Sequence, residues 1–345
     1  METDRKSIHS VIEATGPPQE LPDLAASTLL IHGKRYRKHE HHWYEEGNFG
    51  FLVGDIAFRL HRSILSRRSS VISDMFRTPQ PLFPIPEISN SGDNVIGVPF
   101  MELQDRAEDF AHVLDFIYPN SLPAAQTGHL GVKDLMGTVR FTGKYLIDDL
   151  KEWAISALDA RLLPSAKLSL KALRETPSLY ADSKFCVEIV QFSRECSLPK
   201  FLPLAFYALA TAEWDQIPGG VSCLDQLSSQ DRARVHEGRL ALNKAVLEKV
   251  VSLSEKLPRR EDCTQGDCKP MEWVNPSIRW KGLMLHPLEE LEVRIESKFA
   301  KFCVDCKKNV VNKVQAVRDD LMVRLTEFFK LESTIVVTNG TFRFD

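Results

Sequence analysis

The segment from Phe49 to Phe76 constrains the fold more than any other. It begins Phe49-Gly50-Phe51-Leu52-Val53, passes through Gly54-Asp55, continues Ile56-Ala57-Phe58-Arg59-Leu60 and runs without a break into His61-Arg62-Ser63-Ile64-Leu65. Two short apolar runs around a Gly-Asp pair predict a tight hairpin, because a two-residue loop needs positive φ and glycine adopts it at little cost. The pattern then changes period. Ile64 and Leu65, Val71 and Ile72, and Met75 and Phe76 recur at helical spacing, so the hairpin leads into helices packed by one face.

Later landmarks follow in order. Val98-Pro99-Phe100-Met101-Glu102-Leu103 reads as a short strand, and Phe110, Leu114 and Ile117 lie on one face of a helix that ends at Tyr118-Pro119. Asp105 and Glu108 have capping-box spacing before that helix. Together with His61, Leu65, Ser69, Phe76 and Lys144-Tyr145, these residues resemble the BTB/POZ family over about residues 45–163. The resemblance implies an α+β fold class: a small mixed sheet flanked by helices, followed by an α-helical C-terminal region. It also implies self-association as a homodimer, and often recruitment of a cullin-type ubiquitin ligase scaffold or of transcriptional regulators. His61 is then a packing and capping residue rather than a catalytic base.

Four segments are expected: a mobile arm over 1–40, the BTB/POZ domain over 41–163, a helical extension over 164–257, and a cysteine-bearing segment over 258–345 that ends in a closing helix and a hairpin. The arm carries Gly16-Pro17-Pro18 and ends in a basic, His-rich run (Lys34, Arg35, Arg37, Lys38, His39, His41, His42) read as a solvated linker. Four prolines between Thr78 and Asn94 predict an extended loop. Val132, Leu135, Met136, Val139 and Leu146 share one helical face, and Leu150, Trp153, Ala157 and Leu158 another. Three further stripes mark the extension: Phe185, Ile189, Phe192 and Cys196; Phe201, Leu204, Ala205, Ala208 and Leu209; and Val246, Val250, Leu253 and Leu257. The segment Leu198–Tyr207 and the run Arg318-Asp319-Asp320-Leu321 through Leu331 are similar to those following the BTB domain in fungal, especially basidiomycete, proteins. Asn339-Gly340 between β-forming residues predicts a two-residue turn; the match of Asn339-Gly340-Thr341 to a glycosylation acceptor is the weaker reading.

The candidate metal ligands are Cys263 and Cys268, with four residues between them, and the Cys-x-x-Cys pair Cys303 and Cys306. Two close-spaced thiol pairs are how one chain commonly supplies zinc with a tetrahedron of sulfurs, and with all four positions filled the ion is structural. His286 is an alternative to one of the four, and the competing reading is four unrelated thiols. The remaining cysteines, Cys186, Cys196 and Cys223, are unpaired in sequence, and the first two fall in amphipathic helices as core residues. Trp273 and Trp280 read as burial against the C-terminal helix.

Composition sets the remaining bounds. A formal net charge of −3 gives no electrostatic case for nucleic acid. No run approaches the roughly 18 apolar residues of a membrane span, and the polar first residues lack the apolar core of a secretory signal. An intracellular protein, cytoplasmic or nuclear, follows as the expectation, with reduced thiols. Nucleotide-binding, esterase and zinc-protease motifs are missing from the sequence. The expected function is a non-enzymatic protein–protein interaction module, a dimerising scaffold or adaptor; the alternative is a BTB-containing transcriptional regulator.

Overall fold

A computed structural model describes residues 28–31, 33–78, 98–118, 130–163, 182–212, 223–256, 263, 286–288, 291, 303–332, 335–338 and 341–344. The chain forms two compact units, Met1–Gly128 and His129–Asp345.

The first unit is built on a five-stranded mixed sheet. Its strands are β1 (Thr28–Ile31), β2 (Lys34–Trp43), β3 (Phe49–Val53), β4 (Ile56–Leu60) and β5 (Phe100–Leu103), in the order β1-β2-β4-β3-β5. The expected hairpin is β3–β4, antiparallel from Phe49↔Leu60 to Val53↔Ile56, with Gly54 at φ 61° supplying the turn. β5 joins the other side of β3 in parallel, from Gly50↔Phe100 to Val53↔Leu103. The Phe100 ring lies so close over Gly50 that a Cβ there would strike it, which only glycine avoids.

Helices α1 (Arg62–Arg68), α2 (Ser70–Arg77) and α3 (Ala107–Ile117) complete the unit. Ser69 opens α2, its Oγ accepting the Ile72 N–H at 3.0 Å. α3 opens on Arg106, one residue after the expected Asp105, and the Arg106 side chain makes no cap; Glu108 and Asp109 put negative charge in the first turn. The center of the unit is aromatic. Phe51, Phe58 and Phe110 are fully buried, and Phe110 meets Phe58 and Phe51 at ring separations of 4.9 and 5.6 Å in edge-to-face geometry.

Residues 28–31 and 34–43, expected as the end of an arm and a solvated linker, form strands instead. β1 and β2 pair antiparallel, and β2 extends the sheet by running parallel to β4. Leu29, Ile31 and Tyr36 turn inward onto Leu52 and Phe100, burial that offsets the cost of ordering the backbone. The basic residues of this stretch, Arg35 and Arg37, remain exposed, and Arg37 pairs with Asp55 at 2.9 Å.

The second unit is helical: α4 (Val132–Tyr145), α5 (Asp148–Leu162), α6 (Ser183–Glu195), a short turn Pro199–Phe201, α7 (Leu202–Thr211), α8 (Ser229–Lys256), α9 (Val304–Val323) and α10 (Leu325–Phe328). Leu135, Met136 and Val139 of α4 and Ala154, Leu158 and Leu162 of α5 share one core with Phe192, Phe206, Val246, Val314 and Phe329. Two ion pairs seven residues apart, Lys133–Glu188 and Arg140–Glu195, both at 2.7 Å, align α4 with α6. The sequence division at 163/164 therefore crosses a continuous core.

Two expected positions differ. Leu146 ends α4 in the left-handed conformation at φ 51° and is 54% exposed, so it leaves the buried face. Trp153 is 37% exposed, because the buried stripe of α5 follows the i+4 row Leu150, Ala154, Leu158, Leu162. Capping-box geometry occurs at α4, where Asp134 accepts the Gly131 N–H at 2.8 Å.

At the C-terminus, β6 (Ile335–Thr338) and β7 (Thr341–Phe344) pair antiparallel with Thr338 opposite Thr341, the register of a two-residue turn. β6 runs beside α9, which supplies the support that a lone hairpin lacks. The proline-rich stretch over 79–94 and Trp273, Trp280, Asn339 and Gly340 lie outside the described residues, as does Leu257.

Candidate functional site

Three of the four expected thiols converge. Cys303 is the N-cap of α9 and Cys306 lies in its first turn, so the Cys-x-x-Cys spacing brings both sulfurs to one end of the helix. Cys263, forty residues before Cys303, reaches the same point; its Sγ lies 3.9 Å from that of Cys303. The three sulfurs lie within 4.8 Å of one another, with Cys303 and Cys306 buried and Cys263 half-buried. A disulfide would need about 2.05 Å. Sulfurs held at about 2.3 Å by zinc have tetrahedral edges of about 3.8 Å, the separation found between Cys263 and Cys303.

The environment suits a cation bound by thiolates. The amino end of α9 presents unpaired backbone dipoles that favor negative charge. Cys303 and Cys306 pack with Cys263 as a small separate cluster, so the sulfurs are held as a group rather than spread through the main core. Cys268 lies outside the described residues, and His286 is not part of the cluster. Cys186 and Cys223 are buried thiols outside the cluster; burial raises both above the ordinary range. Cys196 ends α6 and is half-buried, its thiol pushed up to about 11, chiefly by desolvation.

A polar network in the first unit was not legible in the sequence. His42, read there as part of a solvated run, is fully buried on β2, and its Nε2 lies 2.8 Å from Oδ1 of Asp115 on α3. His39 stacks on Phe58 and on His42 at 4.8 and 4.9 Å, and its Nδ1 accepts the backbone N–H groups of His41 and His42. Burial, then the neighboring His42 and His41, lower His39 to about 4, so it is neutral at pH 7. The inward turn of these residues depends on a register shift between Lys38 and Trp43 on β2, which breaks the period-2 pattern that would have betrayed a strand.

His61 packs, as expected, but does not cap with its side chain. Its backbone N–H donates to Tyr118 Oη at 3.0 Å, and its ring leans on Tyr44 and Tyr118. Burial raises the Tyr118 hydroxyl to about 12. Asp115, His42 and Tyr44 lie in line, with Tyr44 Oη 3.5 Å from His42 Nδ1, but the imidazole between them has no exposed surface to offer a substrate. The network ties β2 to α3.

No helix among the described residues is long and apolar enough to cross a membrane. Residues 48–160 match the sequence model of the BTB/POZ domain. That span contains β3, β4, β5 and α1 to α3 of the first unit, and α4 and most of α5 of the second. No curated protein matches the chain.

Proposed function

From a BTB/POZ domain at residues 48–160, a protein–protein interaction module, we propose that this chain is a non-enzymatic, homodimerizing scaffold or adaptor. The observation that carries the reading is the ordered set of β3–β4 hairpin, paired helices α1 and α2, parallel strand β5 and helix α3, all within the family match. BTB/POZ domains often act by dimerization, and they are typically non-catalytic. The buried His42–Asp115 pair fits the same picture: it stiffens a framework and presents no reactive group.

Recruitment of a cullin-type scaffold is the partner class we favor, in an intracellular, cytoplasmic or nuclear setting; the alternative is a transcriptional role. The segments Leu198–Tyr207 and Arg318–Leu331 support placing the chain beside fungal proteins of this kind. Affinity purification of the full chain with mass spectrometry separates the two. A cullin among the co-purifying proteins supports the adaptor, chromatin proteins support the regulator, and recovery of neither overturns the partner assignment.

We further propose that Cys263, Cys268, Cys303 and Cys306 hold one structural zinc ion. The support is the close set of three sulfurs at the head of α9. Cys263 and the first turn of α9 would be clipped together by the ion, which would supply charge neutralization and fourfold coordination there. Closing a loop of this length removes conformational freedom from the unfolded chain, a gain that grows only slowly with length.

A further inference from the structure

The long helix α8 carries two faces. Val235, Gly238, Leu242, Ala245 and Val246 turn into the core of the second unit. The opposite side is exposed and follows a different rule: Ala233, Glu237, Leu240, Lys244 and Leu247 recur at alternating spacings of four and three. That is the seam spacing of two helices packed along their length. Leu240 is 72% exposed and Leu247 43%, on a helix whose other side is already satisfied. Isolated exposed leucines need no explanation, but two of them one heptad apart, on a helix already packed by its other side, mark a further packing seam.

The charges in the row determine what can cover it. Parallel pairing with an identical helix would set Glu237 against Glu237 and Lys244 against Lys244, which is unfavorable at each level. Antiparallel pairing about a twofold axis between residues 240 and 241 sets Glu237 against the second copy's Lys244, and by symmetry Lys244 against the second copy's Glu237. In that register Leu240 and its copy flank the axis, offset by one residue's rise of about 1.5 Å, and Leu247 lies by the same offset from the level of the second copy's small Ala233. Half-buried Ala241 sits at the axis and lets the backbones approach. Each facing pair within the row is then either apolar or opposite in charge, an isologous arrangement. Glu237 already accepts Lys330 of its own chain at 2.7 Å through Oε2, and its other oxygen can accept a second ammonium.

We infer that the outer face of α8 is a self-association surface whose occupant is α8 of a second copy, antiparallel. The row from Ala233 to Leu247 spans about 21 Å, so the contact is small and belongs with weak interfaces. It uses no residue of the BTB/POZ match. A chain that dimerizes through that domain and also pairs through α8 would assemble beyond a dimer.

The test uses the full chain in sedimentation velocity from about 1 to 100 micromolar, the range of weak association. Five samples are compared: wild type, the double variant Leu240→Glu with Leu247→Glu, Glu237→Lys alone, Lys244→Glu alone, and an equimolar mixture of the last two. The expected result is a weight-average mass for wild type that climbs above that of the double variant. Each single charge variant should fall to the double variant's level, and the mixture should recover the wild-type mass, because the surface of one is then all basic and that of the other all acidic. Coincidence of wild type with the double variant, single variants that behave as wild type, or a mixture that fails to recover would each overturn the proposal. The BTB reading is judged separately, by whether the double variant is itself a dimer.

Discussion

The Sγ atoms of Cys263 and Cys303 lie 3.9 Å apart across forty residues of chain, at the head of a helix whose first turn brings in Cys306. This separation is too long for a disulfide and close to the tetrahedral edge of a zinc–thiolate center. Elemental analysis should find about one zinc per chain, and absorption spectroscopy should place its sulfurs at about 2.3 Å. Cys306→Ser, or a strong chelator, should release the metal and destabilize the second unit by about 2–4 kcal/mol, the scale for losing a clip on a loop of this length. The sheet of the first unit should keep its stability, since its aromatic core contains none of these residues.

His39 predicts a pH dependence. Its native value is lowered to about 4 while an unfolded histidine titrates near 6.5, so between those values the unfolded chain binds a proton that the native chain does not. Stability from the neutral ring is therefore intact above about pH 6.5 and is lost as the pH falls toward 4. Allowing for its partial exposure, the loss is about 1–2 kcal/mol. Denaturant midpoints measured at steps between pH 7 and 4 should show this decline, and His39→Gln should flatten it.

Leu146 occupies a left-handed helix end with most of its side chain in solvent. A leucine there carries a backbone strain of about 1–2 kcal/mol that glycine does not. Leu146→Gly should raise the thermal midpoint, with a net gain of about 0.5–1 kcal/mol after glycine's entropic cost, whereas Leu146→Ala, which keeps the strain, should not.

Gly238 shows the reverse case. It lies within α8, where alanine is ordinarily favored by about 1 kcal/mol, but a Cβ at this position would run into the ring of Phe329, which is fully buried and cannot withdraw. Gly238→Ala should therefore destabilize the chain by about 1–3 kcal/mol despite its helix propensity. Calorimetry of Gly238→Ala with and without Phe329→Leu should show partial rescue by the smaller side chain.

The hairpin, the paired helices and the Cys-x-x-Cys pair were legible because each is a local pattern: a turn glycine between apolar runs, a helical period, two thiols one helical turn apart. What escaped detection depends on contacts distant in sequence. Tyr36 and His42 sit on a strand whose alternation is broken by a register shift, so a basic, His-rich run concealed an inner strand of the sheet. Trp153 and Leu146 fitted helical faces by spacing, but neighboring helices and a left-handed cap decided which side was buried. The exposed row on α8 was masked by the apolar residues of its own buried face, with which it is interleaved in sequence.

In the full chain carrying Leu240→Glu with Leu247→Glu the α8 surface is removed and the BTB/POZ domain is left as the means of self-association, which sedimentation equilibrium then measures alone. A dimer in the micromolar range is the predicted result, consistent with an interface of roughly 1,600 Å² in total. A monomer that persists to tens of micromolar would contradict the account of this chain as a homodimerizing scaffold.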